Sequence, residues 1–314
     1  MNTIYFVIPC YNEEEVLNET ADRLKIKLNY LIENNKISDS SRVVMVDDGS
    51  RDRTWQIIEE LSDKESLFEG IKLSRNRGHQ NALLAGLLTA KENYDAVISM
   101  DADLQDDIDA IDEFIEKYIQ GCDVVYGVRN SRKKDSFFKR NTAQMFYKVM
   151  SSLGVDIVYN HADYRLMSKR AVDSLSNYRE VNLFLRGIVP LIGFKSDKVY
   201  YERNERFAGE SKYPLKKMIS FACEGITSLS VKPIRMVLTV GFIVFVCSLL
   251  VLIYSLIQWA IGNTITGWTT TVASIWTLGG IQILCIGIVG EYIGKIYLET
   301  KDRPKFIVDK YIRN

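Results

Sequence analysis

The sequence predicts an α/β fold with a mostly parallel β-sheet, followed by a helical hairpin long enough to span a membrane. Short β-rich runs alternate with helical patterns through the first half of the chain. Such alternation is typical of a parallel sheet with crossover helices on both faces. Two uncharged runs follow, residues 236–261 and 268–289, and each is long enough to cross about 30 Å of hydrocarbon. We therefore expect a globular half joined to a membrane anchor.

Length and charge narrow the classes of function. The chain has 314 residues, with 40 Lys and Arg against 40 Asp and Glu, so it lacks the overall basic character of a nucleic-acid-binding protein. Its five cysteines contain no Cys-x-x-Cys pair, which predicts neither a disulfide framework nor a zinc site. The first residues lack the basic segment and long apolar core of a signal peptide and predict a strand.

Each predicted strand is a short apolar or β-branched run that stops at a polar loop, which is the pattern of a buried strand. The five runs in the first half cover residues 3–8, 42–46, 70–73, 96–100 and 123–126. Helical patterns follow four of these strands: one after Asn12 that opens with three glutamates, residues 53–61, an Ala/Leu-rich helix ending near Lys91, and residues 108–118. Acidic residues at a helix N-terminus stabilise it, and Asp52 is placed to cap the second helix.

Beyond the fifth strand the alternation is less regular. Residues 137–150 predict a helix, and residues 164–167 and 196–201 predict short strands. Residues 215–229 are amphipathic, which suits either a helix on the membrane surface or one packed against the core.

The charges around the two apolar runs predict their orientation. Lysine and arginine residues precede the first run and follow the second, whereas the connection at 262–267 is uncharged. Because positive flanks stay in the cytoplasm, both chain ends and the globular half are predicted there, at the cell membrane. We divide the chain into a catalytic domain (1–210), a juxtamembrane helix (211–233), two spans (234–294) and a cytoplasmic tail (295–314). The alternative for the two runs is a pair of buried helices in a soluble protein.

A pair of carboxylates follows the fourth predicted strand. Asp101 and Asp103 are two residues apart, so in an extended segment both side chains can point to one side. Ligands bind at this end of the strands in open parallel sheets. Carboxylate oxygens there suit Mg²⁺ or Mn²⁺ that is also held by a substrate diphosphate. The structural alternative is an acidic N-terminus for the helix at 108–118.

Two other strand ends carry polar residues that would reach the same edge of the sheet. Tyr11, in the segment after the first strand, could stack on a base or a sugar, and Asp48, after the second, could accept hydrogen bonds from a base or a ribose hydroxyl. The helix after Gly78 could present its N-terminal amides to a phosphate, with His79 as a further hydrogen-bond donor. Each of these motifs is weak when taken singly.

Together, the motifs resemble glycosyltransferase family 2, whose members are inverting enzymes with the GT-A fold. The matching segments are Pro-x-Tyr-Asn-Glu at 9–13, Val-Asp-Asp-Gly-Ser at 46–50 and Asp-Ala-Asp-Leu-Gln at 101–105. Within the family, the chain is similar to polyprenyl-phosphate glycosyltransferases such as dolichol-phosphate mannose synthases and bacterial bactoprenol glucosyltransferases. The further matches are Gly-His-Gln at 78–80, Asp-Tyr-Arg-Leu at 163–166, Arg-x-x-Gly-x-Ser-Lys-Tyr at 206–213 and the C-terminal hairpin.

The resemblance implies a role for each matching residue. The base and ribose would be held by Pro9, Tyr11, Glu13 and Asp48. The metal and diphosphate site would contain Asp103 as the main ligand, Asp101 near the ribose or diphosphate, and Gln105. Arg129 would approach the sugar or the acceptor phosphate. The diphosphate or the lipid phosphate would be bound by Arg206, Ser211 and Lys212.

The implied reaction transfers a sugar, glucose or a related hexose, from a UDP-sugar to polyprenyl (undecaprenyl) phosphate with inversion, for modification of a cell-envelope glycan. The cofactor would be Mg²⁺ or Mn²⁺, and relatives suggest a homotetramer; no nucleic acid is expected as a partner. Asp163 is the family's candidate for a carboxylate at the acceptor. Since a phosphate acceptor is already ionised, we expect Asp163 to orient groups more than to act as a base. Its structural alternative is pairing with Arg165 or Arg170.

Three other classes of protein compete with this interpretation. A processive polysaccharide synthase shares the N-terminal motifs, but that class usually adds a Gln-x-x-Arg-Trp motif and more spans, and the sequence contains neither. A non-catalytic membrane scaffold would not need the acidic motifs. A nucleotidyltransferase would fit the α/β half and leave the hairpin unexplained.

Overall fold

A computed structural model of the chain describes residues 1–130, 161–180, 184–202, 232–261 and 267–313. The strands in these ranges are β1 (Ile4–Cys10), β2 (Arg42–Asp47), β3 (Phe68–Leu73), β4 (Ala96–Ser99), β5 (Val124–Arg129), β6 (His161–Ser168), β7 (Ser196–Tyr201) and β8 (Val308–Ile312). The α-helices are α1 (Leu17–Glu33), α2 (Thr54–Lys64), α3 (His79–Thr89), α4 (Ile111–Ile119), α5 (Lys169–Ser176), α6 (Leu185–Leu191), α7 (Lys232–Ala260) and α8 (Trp268–Thr300). The predicted helices at 137–150 and 215–229 lie outside the described residues.

The strands form a single mixed sheet in the order β7-β5-β6-β4-β1-β2-β3-β8. The pairs of β1 with β2 and β4, β2 with β3, and β5 with β7 are parallel. Three pairs are antiparallel: β4 with β6, β5 with β6, and β3 with β8. The predicted mostly parallel α/β sheet is therefore confirmed. The antiparallel strand β6, inserted between β4 and β5, is longer than the short strand predicted at 164–167.

Alternate residues of β1 face two separate hydrophobic layers, as the two-residue period of a strand requires. Ile4, Phe6 and Ile8 belong to the layer formed with α1, α2 and α4. Tyr5 and Val7 belong to the layer formed with α3, α5 and α6. Helices thus cover both faces of the sheet, and both layers exclude water from the strands that carry the polar loops.

Helix α3 packs very close to the centre of the sheet. A Cβ atom added at Gly86 would lie 2.4 Å from Val7 Cγ1 and 2.8 Å from Val46 Cγ2. The helix is apolar over most of its surface, with Leu83, Leu84 and neighbouring residues buried. This contact determines where the start of α3 lies relative to the ends of β1 and β2.

The hairpin helices α7 and α8 carry large apolar side chains on their surfaces. In the part of the chain that the structure describes, one helical stretch, Thr277–Thr300, is long and apolar enough to cross a membrane, and Ile234–Val244 is a shorter apolar stretch. Exposed residues include Phe242, Ile283 and Ile286, and apolar patches of this kind indicate contact with lipid or protein. Membrane association through the hairpin is consistent with the prediction, while two complete spans remain a prediction.

After the hairpin, the chain returns to the sheet and adds a strand that was not predicted from the sequence. Strand β8 pairs with β3 in an antiparallel register that places Gly70 opposite Ile312 and Lys72 opposite Lys310. The Tyr311 hydroxyl donates a hydrogen bond to Glu69 Oε2 at 2.6 Å. Residues 308–312, predicted to belong to a cytoplasmic tail, are therefore an edge strand of the sheet. A five-residue run with two charges carries too little local signal to predict a strand.

We expect Tyr311→Phe to lower the free energy of unfolding by about 1–3 kcal/mol, because it removes a donor from the buried carboxylate of Glu69. Glu69 is 1% exposed, and burial raises its pKa; the Tyr5 hydroxyl, 3.4 Å from Glu69 Oε1, replaces the lost donor only in part. Urea denaturation of the purified protein measures the change. Lys310→Ala in the same strand is the control, since its partner Glu59 lies at the surface and surface pairs contribute little. Equal losses in the two variants would contradict the assigned role of Tyr311.

Candidate active site

The loops that follow β1 and β2 are joined by hydrogen bonds at the carboxyl edge of the sheet. The Asn12 amide donates to Ser50 Oγ at 3.0 Å, and the Arg51 amide donates to Asn12 Oδ1 at 2.9 Å. Asn12 has a φ of 53°, a left-handed conformation that asparagine tolerates better than most residues. The Glu13 amide donates to Thr54 Oγ1 at 2.9 Å. The two predicted nucleotide-binding segments therefore form one connected surface.

Asp48 orders the loop that leads into α3. Its two carboxylate oxygens accept hydrogen bonds from the amides of Arg77 at 2.7 Å and Gly78 at 2.9 Å. The residue is 2% exposed; burial raises its pKa, and the two amides oppose that effect. A carboxylate oxygen can accept more than one hydrogen bond, so the predicted nucleotide contact is compatible with this arrangement. The structure adds a role that the motif did not indicate, because Asp48 also fixes the approach to α3.

Gly49, in the same motif, is required by a close backbone contact. Its φ is 67°, and a Cβ atom there would lie 2.6 Å from the backbone nitrogen of Asn76. Because the conformation is left-handed and a Cβ atom has no space, any residue other than glycine would be destabilising here. The Asp-Asp-Gly-Ser segment is thus more than an ordinary surface turn.

The other predicted base-binding residues lie at the end of β1. Pro9 is buried in the strand opposite Val46, while Tyr11 is 38% exposed in the loop beyond it. An exposed aromatic ring at this edge is available to stack on a planar ligand.

The Asp101–Gln105 segment forms a turn at the end of β4. Leu104 has a φ of 57°, and the Gln105 amide donates to Asp103 Oδ1 at 3.2 Å. Thr20 of α1 donates to the Ala102 carbonyl at 2.8 Å, which attaches the turn to the first helix. Asp101 keeps about a third of its side chain exposed.

The structural alternative for these carboxylates was a helix N-terminus. Asp107 has that role instead: its side chain accepts from the Asp109 amide at 2.9 Å at the start of a short 3₁₀ helix, Ile108–Ala110. Asp101 and Asp103 lie in the turn that follows β4, before this short helix begins. The structure therefore supports separate roles for the cap and for the Asp-x-Asp pair.

The carboxylates of Asp101 and Asp103 fit a metal ion whose other ligands come from a substrate and from water. Among the described residues, no group of three or more histidine, cysteine, aspartate or glutamate side chains could hold an ion without help. Mg²⁺ is commonly held by one or two carboxylates together with substrate phosphates and water. Two carboxylates in one turn, with Asp101 partly exposed, match that kind of site.

Asp106 and Tyr201 hold Arg129 in place, although neither is among the predicted site residues. Tyr201 donates to Asp106 Oδ1 at 2.6 Å, and Arg129 Nε lies 3.4 Å from the Tyr201 hydroxyl oxygen. Burial, followed by the negative charge of Asp101, raises the pKa of Asp106 to about 7. Arg129 Nη2 is 3.9 Å from Asp106 Oδ1, so the guanidinium of Arg129 has a defined position at the end of β5.

Asp163, on β6, is bound by two arginines. Arg165 Nη2 donates to Oδ1 at 2.6 Å, and Arg186 Nε and Nη2 donate to the two oxygens at 3.2 and 3.0 Å. Burial alone would raise the pKa of Asp163, but the charges of Arg186 and Arg165 hold it well below its usual range. His79 Nε2 lies 3.7 Å from Asp163 and 3.5 Å from Asp101. Asp163 is therefore a poor proton acceptor placed next to the Asp-x-Asp turn.

The pairing of Asp163 with Arg165 was the predicted alternative, and the structure shows it. Arg170 pairs with Asp123 instead. Arg186 was missed because it lies 23 residues from Asp163 on another element, and no spacing rule connects them. The predicted residues Arg206, Ser211 and Lys212 lie outside the described residues.

The loop motif at 78–80 also contacts the element that carries Arg186. Gln80 Oε1 accepts a hydrogen bond from the Leu185 amide at 2.9 Å, at the start of α6. The starts of α3 and α6 are consequently held together beside Asp163.

Comparison with known proteins assigns the chain to a family. Residues 5–176 match the family Glycosyl transferase family 2, and residues 232–296 match the GtrB C-terminal hairpin. An uncharacterized glycosyltransferase, YkoT of Bacillus subtilis strain 168, is 55% identical over 96% of this chain and 90% of its own length. The SfII prophage-derived bactoprenol glucosyl transferase of Shigella flexneri is 39% identical over 98% of this chain and 97% of its own length.

A solved structure is similar at lower identity. Glucosyl-3-phosphoglycerate synthase from Mycobacterium tuberculosis, crystallised with Mn²⁺, UDP and phosphoglyceric acid, has a TM-score of 0.46 and 15% identity over 73% of this chain and 77% of that chain. The family match covers more than half of the present sequence, and the mixed sheet with helices on both faces is the predicted GT-A-like arrangement. The chain belongs to glycosyltransferase family 2 and carries a GtrB-type C-terminal hairpin.

Proposed function

We propose that this protein transfers a hexose, glucose or a related sugar, from a UDP-sugar to a polyprenyl phosphate at the cytoplasmic face of the membrane, with inversion at the anomeric carbon. The observation that carries the proposal is the joining, in one chain, of the Asp101–Asp103 turn at the carboxyl edge of the sheet to a hairpin with an exposed apolar surface. The full-length similarity to a protein named bactoprenol glucosyl transferase supports the lipid acceptor.

The residues at the ends of β1, β2 and β4 would bind the donor. Tyr11 would stack on the base, and Asp48 would hold the loop at Arg77 so that the amides at the start of α3 face the diphosphate. Asp101 and Asp103 would hold Mg²⁺ or Mn²⁺ together with that diphosphate. The metal would stabilise the negative charge that develops on the leaving UDP.

The acceptor would need little help from a base. A phosphate monoester has a second pKa of about 6, so it is largely ionised at neutral pH. Asp163, with its low pKa, would orient Arg165 and Arg186 and not remove a proton. The phosphate oxygen would attack the anomeric carbon from the side opposite UDP, which inverts its configuration. The phosphate groups would be bound by Arg129. They would also be bound by three residues that lie outside the described ranges: Arg206, Ser211 and Lys212.

The membrane arrangement is part of the proposal. Two spans within residues 234–294 would place both chain ends in the cytoplasm, with basic flanks next to anionic headgroups. Residues 1–210 would form the catalytic domain, completed by β8, and residues 211–233 would join it to the spans. A homotetramer, as implied by the resemblance, is retained as the proposed assembly.

The function is tested by incubating the purified full-length protein with undecaprenyl phosphate, Mg²⁺ or Mn²⁺, and each member of a panel of UDP-sugars. We expect one lipid product whose mass equals undecaprenyl phosphate plus one hexosyl unit, together with UDP. GDP-sugars and a reaction without lipid serve as controls. Repeated addition of sugars to one acceptor would favour a processive synthase, and the absence of any sugar-lipid would contradict the proposal.

A further inference from the structure

Asp163 shares its single negative charge between two guanidinium groups that differ in exposure. Arg165 is 1% exposed, whereas Arg186, on α6, keeps 33% of its side chain exposed. Two positive charges on one carboxylate leave an excess of positive charge in this group of three residues. Because Arg165 is buried, Arg186 is the arginine of this group that an anion from solution can contact.

A second arginine, Arg129, lies at the same edge of the sheet as the Asp-x-Asp turn, because β4 and β5 both pair antiparallel with β6 and therefore end on the same side. Arg129 is held at the end of β5 by the Tyr201 hydroxyl and Asp106. Burial acts to lower the pKa of Arg129, but Tyr201 and Asp106 raise it above its ordinary value. The planar donor fork of arginine matches phosphate oxygens, and the partly exposed guanidinium of Arg186 presents such a fork to solvent.

The contacts around Arg186 place it beside the predicted donor site. His79 Nε2 lies within 3.7 Å of both Asp163 and Asp101, so one side chain connects the arginine cluster to the Asp-x-Asp turn. The contact of Gln80 with the Leu185 amide holds α6 against the start of α3. These contacts keep Arg186 at the edge where substrates would meet.

We propose that Arg186 binds the phosphate oxygens of a substrate, and that Asp163 is the residue that positions the Arg186 guanidinium. The inference rests on the proposed function, in which both substrates carry phosphate: the nucleotide sugar as a diphosphate and the lipid as a monoester. The chemistry that recognises them is the same, so the experiment decides which one is bound.

The test uses full-length protein in detergent with the variants Arg186→Gln, which removes the charge, and Arg186→Lys, which keeps the charge without the fork. We expect Arg186→Gln to raise the KM for one phosphate substrate about tenfold or more, as for the loss of hydrogen bonds to a charged group, with a smaller change in kcat. Arg186→Lys should recover part of the loss. An increase for the lipid phosphate assigns the site to the acceptor, and one for the UDP-sugar assigns it to the donor.

Arg170→Gln is the matched control, since Arg170 also pairs with a largely buried aspartate, Asp123, but lies on α5 and is 67% exposed. Unchanged KM values for both substrates in Arg186→Gln, or an equal increase in Arg170→Gln, would overturn the inference. If Arg186→Gln does not fold, Arg186→Lys carries the test, and a KM equal to that of the wild type in that variant counts against a guanidinium fork.

A measurement without turnover separates this inference from the proposed function. Inorganic phosphate should raise the melting temperature of the wild-type protein, and Arg186→Gln should reduce that rise while Arg170→Gln leaves it unchanged. Loss of the phosphate effect only in Arg186→Gln supports the site even if no polyprenyl phosphate accepts sugar. An equal phosphate effect in wild type and Arg186→Gln contradicts the site even if lipid transfer is found.

Discussion

Asp103→Ala is expected to reduce sugar transfer by about 100-fold or more, because a carboxylate that holds a divalent ion at the leaving diphosphate contributes several kcal/mol to the transition state. Its side chain accepts a hydrogen bond from the Gln105 amide within a turn that Thr20 attaches to α1. Since the bond from Thr20 goes to the Ala102 backbone and does not use the Asp103 side chain, the turn keeps its attachment and the variant should fold. Transfer rates measured across a range of Mn²⁺ concentrations test the effect, and the variant should need more metal for its residual activity.

Asp107→Ala is the matched control for Asp103→Ala. Asp107 is a nearby carboxylate that caps the 3₁₀ helix at Ile108–Ala110, so its loss should cost about 1 kcal/mol of stability and leave the dependence on metal unchanged. Full activity in Asp103→Ala would remove this residue from the proposed metal site. Equal losses of activity in both variants would indicate general damage to the loop.

Asp163→Asn should destabilise the fold by about 3–5 kcal/mol, the usual consequence of removing one partner from a buried ion pair. The substitution leaves the buried guanidinium of Arg165 without its carboxylate and removes the bidentate partner of Arg186. Urea denaturation at pH 7 measures the loss. Asp123→Asn is the control, because its partner Arg170 is exposed and can be solvated. Similar stability of Asp163→Asn and the wild type would refute the assigned role of this cluster.

The pH dependence of stability gives an independent check on Asp163. Its pKa in the folded protein lies well below the usual value, which is about 3.9 for an unfolded aspartate. The stability from this group is therefore fully present above about pH 4 and is lost as the pH falls through the folded pKa. Asp163→Asn should remove that part of the acid sensitivity. The transfer rate should show no step near neutral pH that can be assigned to Asp163, because the group stays ionised there.

The first five strands were predictable because their signals are local. Each is a short apolar run that ends at a polar turn, and the runs at β1, β2 and β4 appear where the sequence placed them. The polar residues meet at one edge because parallel neighbours end on the same side of a sheet. The order of the motifs and the apolar hairpin were enough to identify the family.

The sequence by itself determined the α/β architecture, the edge of the sheet that carries Asp48 and Asp101, and the presence of the hairpin, since each follows from periodicity or motif order. The tertiary structure alone decided the partners of the buried charges and the place of the last strand. The hydrogen-bonded pairs Arg186–Asp163, Tyr201–Asp106 and Tyr311–Glu69 join residues 23, 95 and 242 positions apart. No local pattern encodes such pairs, because they form only when separate elements pack and a buried polar group must find a partner.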